Sequence, residues 1–224
     1  MIICHTLNLI FFKTKKTGST SFEIALSRFC GSDCVITPIT PANEEIRRNK
    51  GYRGPQNFRD TIWPDGTGSS GKFYNHIRAE EARHLIPDQV WRDYQKIAIV
   101  RDPFDAAISR YYWEGVERTG LDFGQFIDAH PEYLAESAQI APFDGPNRID
   151  RHLRYETLAE DVEALGLEGL WDDFAGIRAK GGRRPERGAS CEELYTQFPA
   201  AAEIVEAQCA AEITRFGYRN PARS

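Results

Sequence analysis

Lysine, glycine and hydroxyl residues crowd one short stretch, Lys16-Thr17-Gly18-Ser19-Thr20-Ser21. Residues of these types can receive a phosphate-like anion. Glycine lets the backbone approach closely, hydroxyls add donors, and a lysine brings a point charge. If the stretch opens a helix, the unpaired N–H groups of the first turn add partial positive charge. The plainer alternative is a Ser/Thr cap with solvated lysines. Residues 1–22 hold Lys13, Lys15 and Lys16 and no carboxylate, so the whole segment suits an anion. It is not a Walker A loop, because Gly-x-x-x-x-Gly-Lys-Ser/Thr is absent.

A second stretch, Arg101-Asp102-Pro103-Phe104-Asp105-Ala106-Ala107-Ile108-Ser109, offers a planar guanidinium with a serine two helical turns further on. Such a fork matches a phosphate, and the hydroxyl can add a bond. A strand-end arginine in a surface ion pair accounts for the same residues, and such a pair contributes little. Among His5, His76, His84, His130 and His152, His76 is the candidate general base, since histidine titrates near neutrality. It sits in Phe73-Tyr74-Asn75-His76, ahead of a helical segment, where a capping or core role is the alternative. His84 falls within that helix and reads as structural. Glu80 and Glu81 could act as bases but occupy a first turn, where acids stabilise a helix.

These residues need elements to position them. Leu7 to Phe12 reads as a buried strand of a parallel sheet. After the polar loop, Phe22, Ile24, Ala25, Leu26 and Phe29 mark a helical face. From Gly31 to Gly71 prolines and glycines break every period; an acceptor-shaping loop and a tolerated insertion fit equally well. Ala79–Leu85 reads as a helix, Lys96–Val100 as the second buried strand, and Phe104–Val116 as a helix with Pro103 near its first turn. Further helices are expected at Asp122–Asp128, Thr157–Leu165 and Ala200–Phe216. Ala179–Ser190 is a basic, breaker-rich loop. Strands alternating with helices, without repeats or a linker, predict one α/β domain over residues 1–224 with a central, largely parallel sheet flanked by helices. Both anion segments would then follow strands, and ligands of open α/β sheets bind beyond the carboxyl ends of strands.

At this point the motifs resemble a known family. Lys16 through Ser21 is similar to the 5′-phosphosulfate loop of sulfotransferases that use 3′-phosphoadenosine 5′-phosphosulfate (PAPS). Arg101 through Ser109, with Tyr111 and Tyr112 behind it, resembles their 3′-phosphate motif. Tyr155-Glu156-Thr157-Leu158-Ala159-Glu160-Asp161 is similar to the family's Tyr-Glu-x-Leu-x-x-Asp element, and Ile213 to Tyr218 resembles the C-terminal helix of the carbohydrate sulfotransferase branch. The chain departs from that branch at Ala106, where an arginine is usual, and at Ser19, where a glycine is common. Arg183 and Arg184 occupy the place where the family closes over the nucleotide, with letters that differ.

The resemblance implies a P-loop-NTPase-like sulfotransferase architecture and transfer of a sulfuryl group from PAPS to an acceptor hydroxyl by in-line displacement. It implies Lys16 and His76 as catalytic residues and the product adenosine 3′,5′-bisphosphate. Lys16, Thr17, Gly18, Ser19, Thr20 and Ser21 would hold the 5′ end of the nucleotide, with Arg101 and Ser109 on its 3′-phosphate. The acceptor is a small molecule or, from the branch, a carbohydrate; Tyr111, Tyr112 and Trp113 could stack on a sugar, although such a run is more often core. The rival readings are a P-loop-like kinase or nucleotide hydrolase, and a catalytically silent nucleotide-binding module.

Composition narrows the field further. A hydrophobic fraction of 41% supports a core, and a net charge of −5 gives no general attraction to nucleic acid. No apolar run reaches the roughly 18 residues of a membrane span, and no signal peptide is evident. A cytoplasmic protein is therefore expected. Cys4, Cys30, Cys34, Cys191 and Cys209 are odd in number and read as reduced thiols. Cys30 and Cys34 form a close pair with no partner cluster in the sequence around them, so no metal is expected.

Overall fold

The strands β2 (Leu9–Phe12) and β6 (Gln95–Val100) read as continuous apolar runs because they are buried on both faces. In the computed structural model, which describes residues 1–115, 120–177, 179, 185 and 189–223, five strands form the central sheet: β1 (Ile2–Cys4), β2 (Leu9–Phe12), β3 (Val35–Ile36), β6 (Gln95–Val100) and β7 (Arg151–Arg154). Their order is β3-β1-β2-β6-β7. β2, β6 and β7 are parallel neighbours, while β1 lies antiparallel to both β2 and β3. The sheet is thus mixed, with β1 opposing the common direction of the other four.

β1 was not expected, and the strand foreseen from Leu7 begins at Leu9. A 3₁₀ turn over His5–Leu7 ends at Asn8, which adopts a left-handed conformation with φ of 48°. Asparagine tolerates that region, so the chain reverses here and makes a β1–β2 hairpin.

Side chains alternate across the sheet with period two. Cys4, Leu9, Phe11, Ile97, Ile99 and Leu153 share one face with α1 (Ser19–Leu26), α8 (Leu158–Glu163) and α9 (Leu170–Ala175). Ile3, Ile10, Phe12 and Ala98 share the other with Trp63, Phe73 and the residues of α3 (Ala79–Arg83) and α4 (Asp88–Asp93).

The stretch from Gly31 to Gly71 is more ordered than its breakers suggest. It contains β3, α2 (Pro41–Asn49) and a hairpin of β4 (Arg59–Ile62) with β5 (Gly68–Lys72). Pro41 occupies the first turn of α2, where its missing N–H costs nothing. Pro64, Asp65 and Gly66 form the hairpin turn, with Asp65 Oδ1 accepting from the Thr67 N–H at 2.9 Å.

By its internal contacts the chain divides into two compact units. The first, Met1–Val100 with Gln139–Lys180, holds the sheet. The second, Arg101–Ala138 with Gly181–Ser224, is helical in its described residues. Its helices are α5 (Pro103–Glu114), α6 (Phe123–Ala129), the greater part of α7 (Glu132–Ile140), α10 (Cys191–Gln197), α11 (Pro199–Gln208) and α12 (Ala210–Phe216). Phe104, Ile108, Tyr111, Phe123, Phe126, Leu194, Tyr195 and Val205 make its core. The single helix expected over Ala200–Phe216 is two, broken at Cys209, whose φ of −113° leaves the helical range. Nothing local in the sequence marks that break. No helix of the described residues is long and apolar enough to cross a membrane.

Candidate functional site

The Lys16 loop joins the carboxyl end of β2 to α1. Two of its residues take positive φ: Lys16 at 62° and Gly18 at 71°. Gly18 is the N-cap of α1 in a left-handed conformation. A left-handed lysine is strained, and such strain collects at ligand-binding turns. A Cβ built on Gly18 would lie 3.2 Å from Tyr155 Cε2 and 3.7 Å from Phe174 Cζ. Glycine is therefore required twice over, by conformation and by close approach.

The loop is stapled to the sheet by its own hydroxyls. Thr14 Oγ1 donates to the Ile99 carbonyl at 2.6 Å, so in its 2.8 Å contact with Thr17 Oγ1 it is the acceptor. Ser19 Oγ donates to the Thr14 carbonyl at 2.5 Å. The Thr17 and Ser19 protons are thus engaged within the loop, and both side chains are buried with Thr20. The Ser21 hydroxyl accepts from the Ala179 N–H at 3.4 Å. The groups here whose chemistry suits an anion are the backbone N–H groups at the start of α1 and the ammonium groups of Lys15 and Lys16, both residues half-buried.

Lys13 does not belong to that set, contrary to the reading of residues 1–22 as an uncompensated cluster. It is buried, and its Nζ lies 2.7 Å from Glu23 Oε2. Glu23, on α1, also takes the N-terminal amine at 2.8 Å and the Thr37 hydroxyl at 3.3 Å, with Arg47 Nη2 at 3.9 Å. Burial pushes the Glu23 carboxyl up, but the surrounding cations outweigh it and hold it at about 2. A carboxylate inside an otherwise apolar helix face was the available signal for this hub.

His76 reaches the same loop from 63 residues away in sequence, its Nδ1 2.8 Å from the Lys13 carbonyl. A carbonyl only accepts, so Nδ1 carries the proton and Nε2 of the neutral ring is left as the acceptor. Burial, followed by the Lys13 charge, lowers the ring's pKa to about 3. Its φ of 64° is again left-handed. Beside it, Asn75 Oδ1 is buried with no hydrogen-bond partner, an acceptor that a bound donor would satisfy. Glu80 and Glu81 are exposed in the first turn of α3, Glu81 accepting from the Tyr74 hydroxyl. His84 caps the carboxyl end of α3 in an exposed position, not within the helix.

Tyr155, beside Gly18, follows β7, the strand that charged Arg151-His152-Leu153-Arg154 concealed from pattern reading. Asp161 shapes the turn after it, accepting from the Arg154 N–H at 2.7 Å and the Thr157 hydroxyl at 3.3 Å.

The second unit begins at Arg101, the residue after β6. Its guanidinium pairs with Asp105, Nε donating to Oδ2 at 2.7 Å. Asp102 caps α5 by accepting from the Phe104 N–H at 2.9 Å, and Pro103 fills the first turn. Ser109 lies half-buried on α5. Tyr111 is core: it packs on Phe123 and Phe126 with centroids 5.4 Å away and donates to the Leu121 carbonyl. Arg183 and Arg184 lie outside the described residues.

The Cys30–Cys34 pair does have a partner, which corrects the expectation from sequence. Cys4, at the end of β1, joins them, and the three sulfurs lie within 4.8 Å of one another.

The fold and the site define an α/β chain with a mixed five-stranded sheet and a glycine-containing loop leading into a helix. No family model, curated protein or solved structure matches it.

Proposed function

We propose that the chain is a sulfotransferase of P-loop-like architecture that uses PAPS, transferring its sulfuryl group to an acceptor hydroxyl. The observation that carries the reading is the hydrogen bond from His76 to the Lys13 carbonyl. It ties a base candidate to the loop whose lysine and glycine both adopt left-handed conformations.

PAPS, when bound, supplies an activated sulfuryl group and a 3′,5′-bisphosphate that departs. Within the chain, the N–H groups at the start of α1 and the Lys16 ammonium stabilise negative charge beyond the end of β2. Preorganised donors of that sort usually supply the largest share of catalysis. His76 Nε2 accepts the acceptor's proton, because Nδ1 is fixed on a carbonyl. Arg101 and Ser109 recognise the 3′-phosphate, which requires Arg101 to share or exchange its Asp105 contact. A carbohydrate hydroxyl is the acceptor class this reading favours, on the resemblance alone.

The test is calorimetric binding of adenosine 3′,5′-bisphosphate beside ADP, ATP and AMP. Binding that depends on the 3′-phosphate is expected. A preference for ATP with magnesium would replace this reading with a kinase or hydrolase. No binding to any of the four would remove the nucleotide altogether.

A further inference from the structure

Three of the five cysteines converge although the sequence scatters them. Cys4 comes from the end of β1, Cys30 follows the 3₁₀ turn that extends α1, and Cys34 immediately precedes β3. Their sulfurs all lie within 4.8 Å of one another, and all three side chains are buried, Cys30 alone keeping slight exposure of 6%. Three thiolates bound to one ion at about 2.3 Å each would stand about 4 Å apart. The trio is therefore already close to the spacing that a shared ion imposes.

Main-chain groups lie against all three sulfurs. The Gly31 N–H donates to Cys34 Sγ at 3.2 Å, and the Thr6 hydroxyl lies 4.0 Å from the same atom. The Cys4 and Cys30 sulfurs sit 3.6 Å from the Phe29 carbonyl and 3.8 Å from the Leu26 carbonyl. Loop 30–34 is also held from outside. Gln56 Nε2 reaches the carbonyls of Gly31, Ser32 and Cys34 at 2.7, 3.2 and 2.9 Å. Asn57 Nδ2 reaches those of Ser32 and Cys34 at 2.8 and 3.0 Å. Outer contacts of this kind orient metal ligands and fix a site's geometry. Three cysteines kept only as small apolar fillers would need neither the N–H bond to sulfur nor the two-amide clamp.

We propose that Cys4, Cys30 and Cys34 form a binding site for one thiophilic d¹⁰ metal ion, Zn²⁺ or Cu⁺, coordinated through three thiolate sulfurs. Each metal–sulfur bond forms as the S–H proton of that cysteine leaves to solvent, and no oxidant or reductant takes part. Soft thiolate ligands select these ions over magnesium or calcium. Cu⁺ is satisfied by three sulfurs, whereas Zn²⁺ calls for a fourth ligand. The site lies away from the Lys16 loop in sequence and stands independently of the nucleotide reading.

The full chain, purified under a phosphine reductant, is stripped of metal and titrated separately with Zn²⁺ and with Cu⁺ against a competing chelator. One equivalent of either ion is expected to bind and to raise the melting temperature. Co²⁺ in its place should give sulfur-to-metal charge-transfer absorption. Cys34→Ser should weaken binding by more than the roughly 10–100-fold that loss of an outer contact costs, while Cys191→Ser and Cys209→Ser leave it unchanged. Gln56→Ala keeps all three thiols, so it still reports if Cys34→Ser fails to fold; a drop of roughly 10–100-fold is expected. A reduced protein that binds neither ion overturns the proposal, as does binding that survives in a folded Cys34→Ser chain.

Discussion

His76 is held neutral by the loop it touches, and that has a measurable consequence. With its pKa lowered to about 3 by burial and the Lys13 charge, the ring keeps its Nε2 lone pair throughout the neutral range. The pH–rate profile of the proposed sulfuryl transfer should therefore lack an acid limb near 6.5. A limb at that ordinary histidine value would exclude His76 as the base. The same shift acts on stability. The unfolded ring binds a proton below about 6.5 and the folded ring does not until about 3. Stability is thus full above pH 6.5 and is lost as pH falls through that window. His76→Gln should flatten this slope in denaturant titrations run across it. Gly18 makes a second residue-level case. Gly18→Ala places a side chain at φ of 71°, 3.2 Å from the Tyr155 ring. A left-handed alanine costs roughly 1–2 kcal/mol, and urea denaturation should show at least that loss. A fully stable variant would mean that Tyr155 and the loop both relax freely.

At the scale of elements, α1 does two things at once: its first turn faces the candidate anion site, and Glu23 in its middle is fully buried among cations. Removing one partner of a buried ion pair leaves the others uncompensated and costs about 3–5 kcal/mol. Glu23→Gln should therefore lower the urea midpoint far more than Asp173→Asn, whose partner Arg28 is largely exposed and whose pair is worth roughly 0.2–1 kcal/mol. Equal effects would show that the Glu23 hub is solvated. Buried strands such as β2 and β6 were legible in the sequence because both faces are covered and the apolar run is continuous. The Lys16 loop was legible because glycine, lysine and hydroxyls cluster in one window. β7 and the β4–β5 hairpin were not. β7 reads as alternating charge, and β5 is Gly68-Ser69-Ser70-Gly71-Lys72, with no apolar period to find. Glu23 and Cys4 escaped for another reason, since their partners are far away in sequence and only the folded sheet brings them together.

For the whole molecule, the division into units does not follow the order of the chain. The polypeptide passes from one unit to the other after Val100, Ala138 and Lys180. Residues 1–100 consequently lack β7, which pairs with β6 in register from Ile97 with Arg151 to Val100 with Arg154. They also lack Leu158, Val162 and Leu170, which cover one face of the sheet. A fragment of residues 1–100 should show no cooperative thermal transition, since the β7 partner of β6 and part of its apolar cover are missing. A sharp transition from that fragment would mean that the return segment is dispensable.

The clamp on loop 30–34 carries one more implication, for how this chain tolerates mutation. Gln56 and Asn57 recognise only main-chain carbonyls, and any residue supplies one. Ser32 and Asp33 project outward and are exposed, so their identities are free to drift while the loop keeps its path. The burden of inheritance shifts instead to two amides more than twenty residues downstream, outside the segment whose shape they determine.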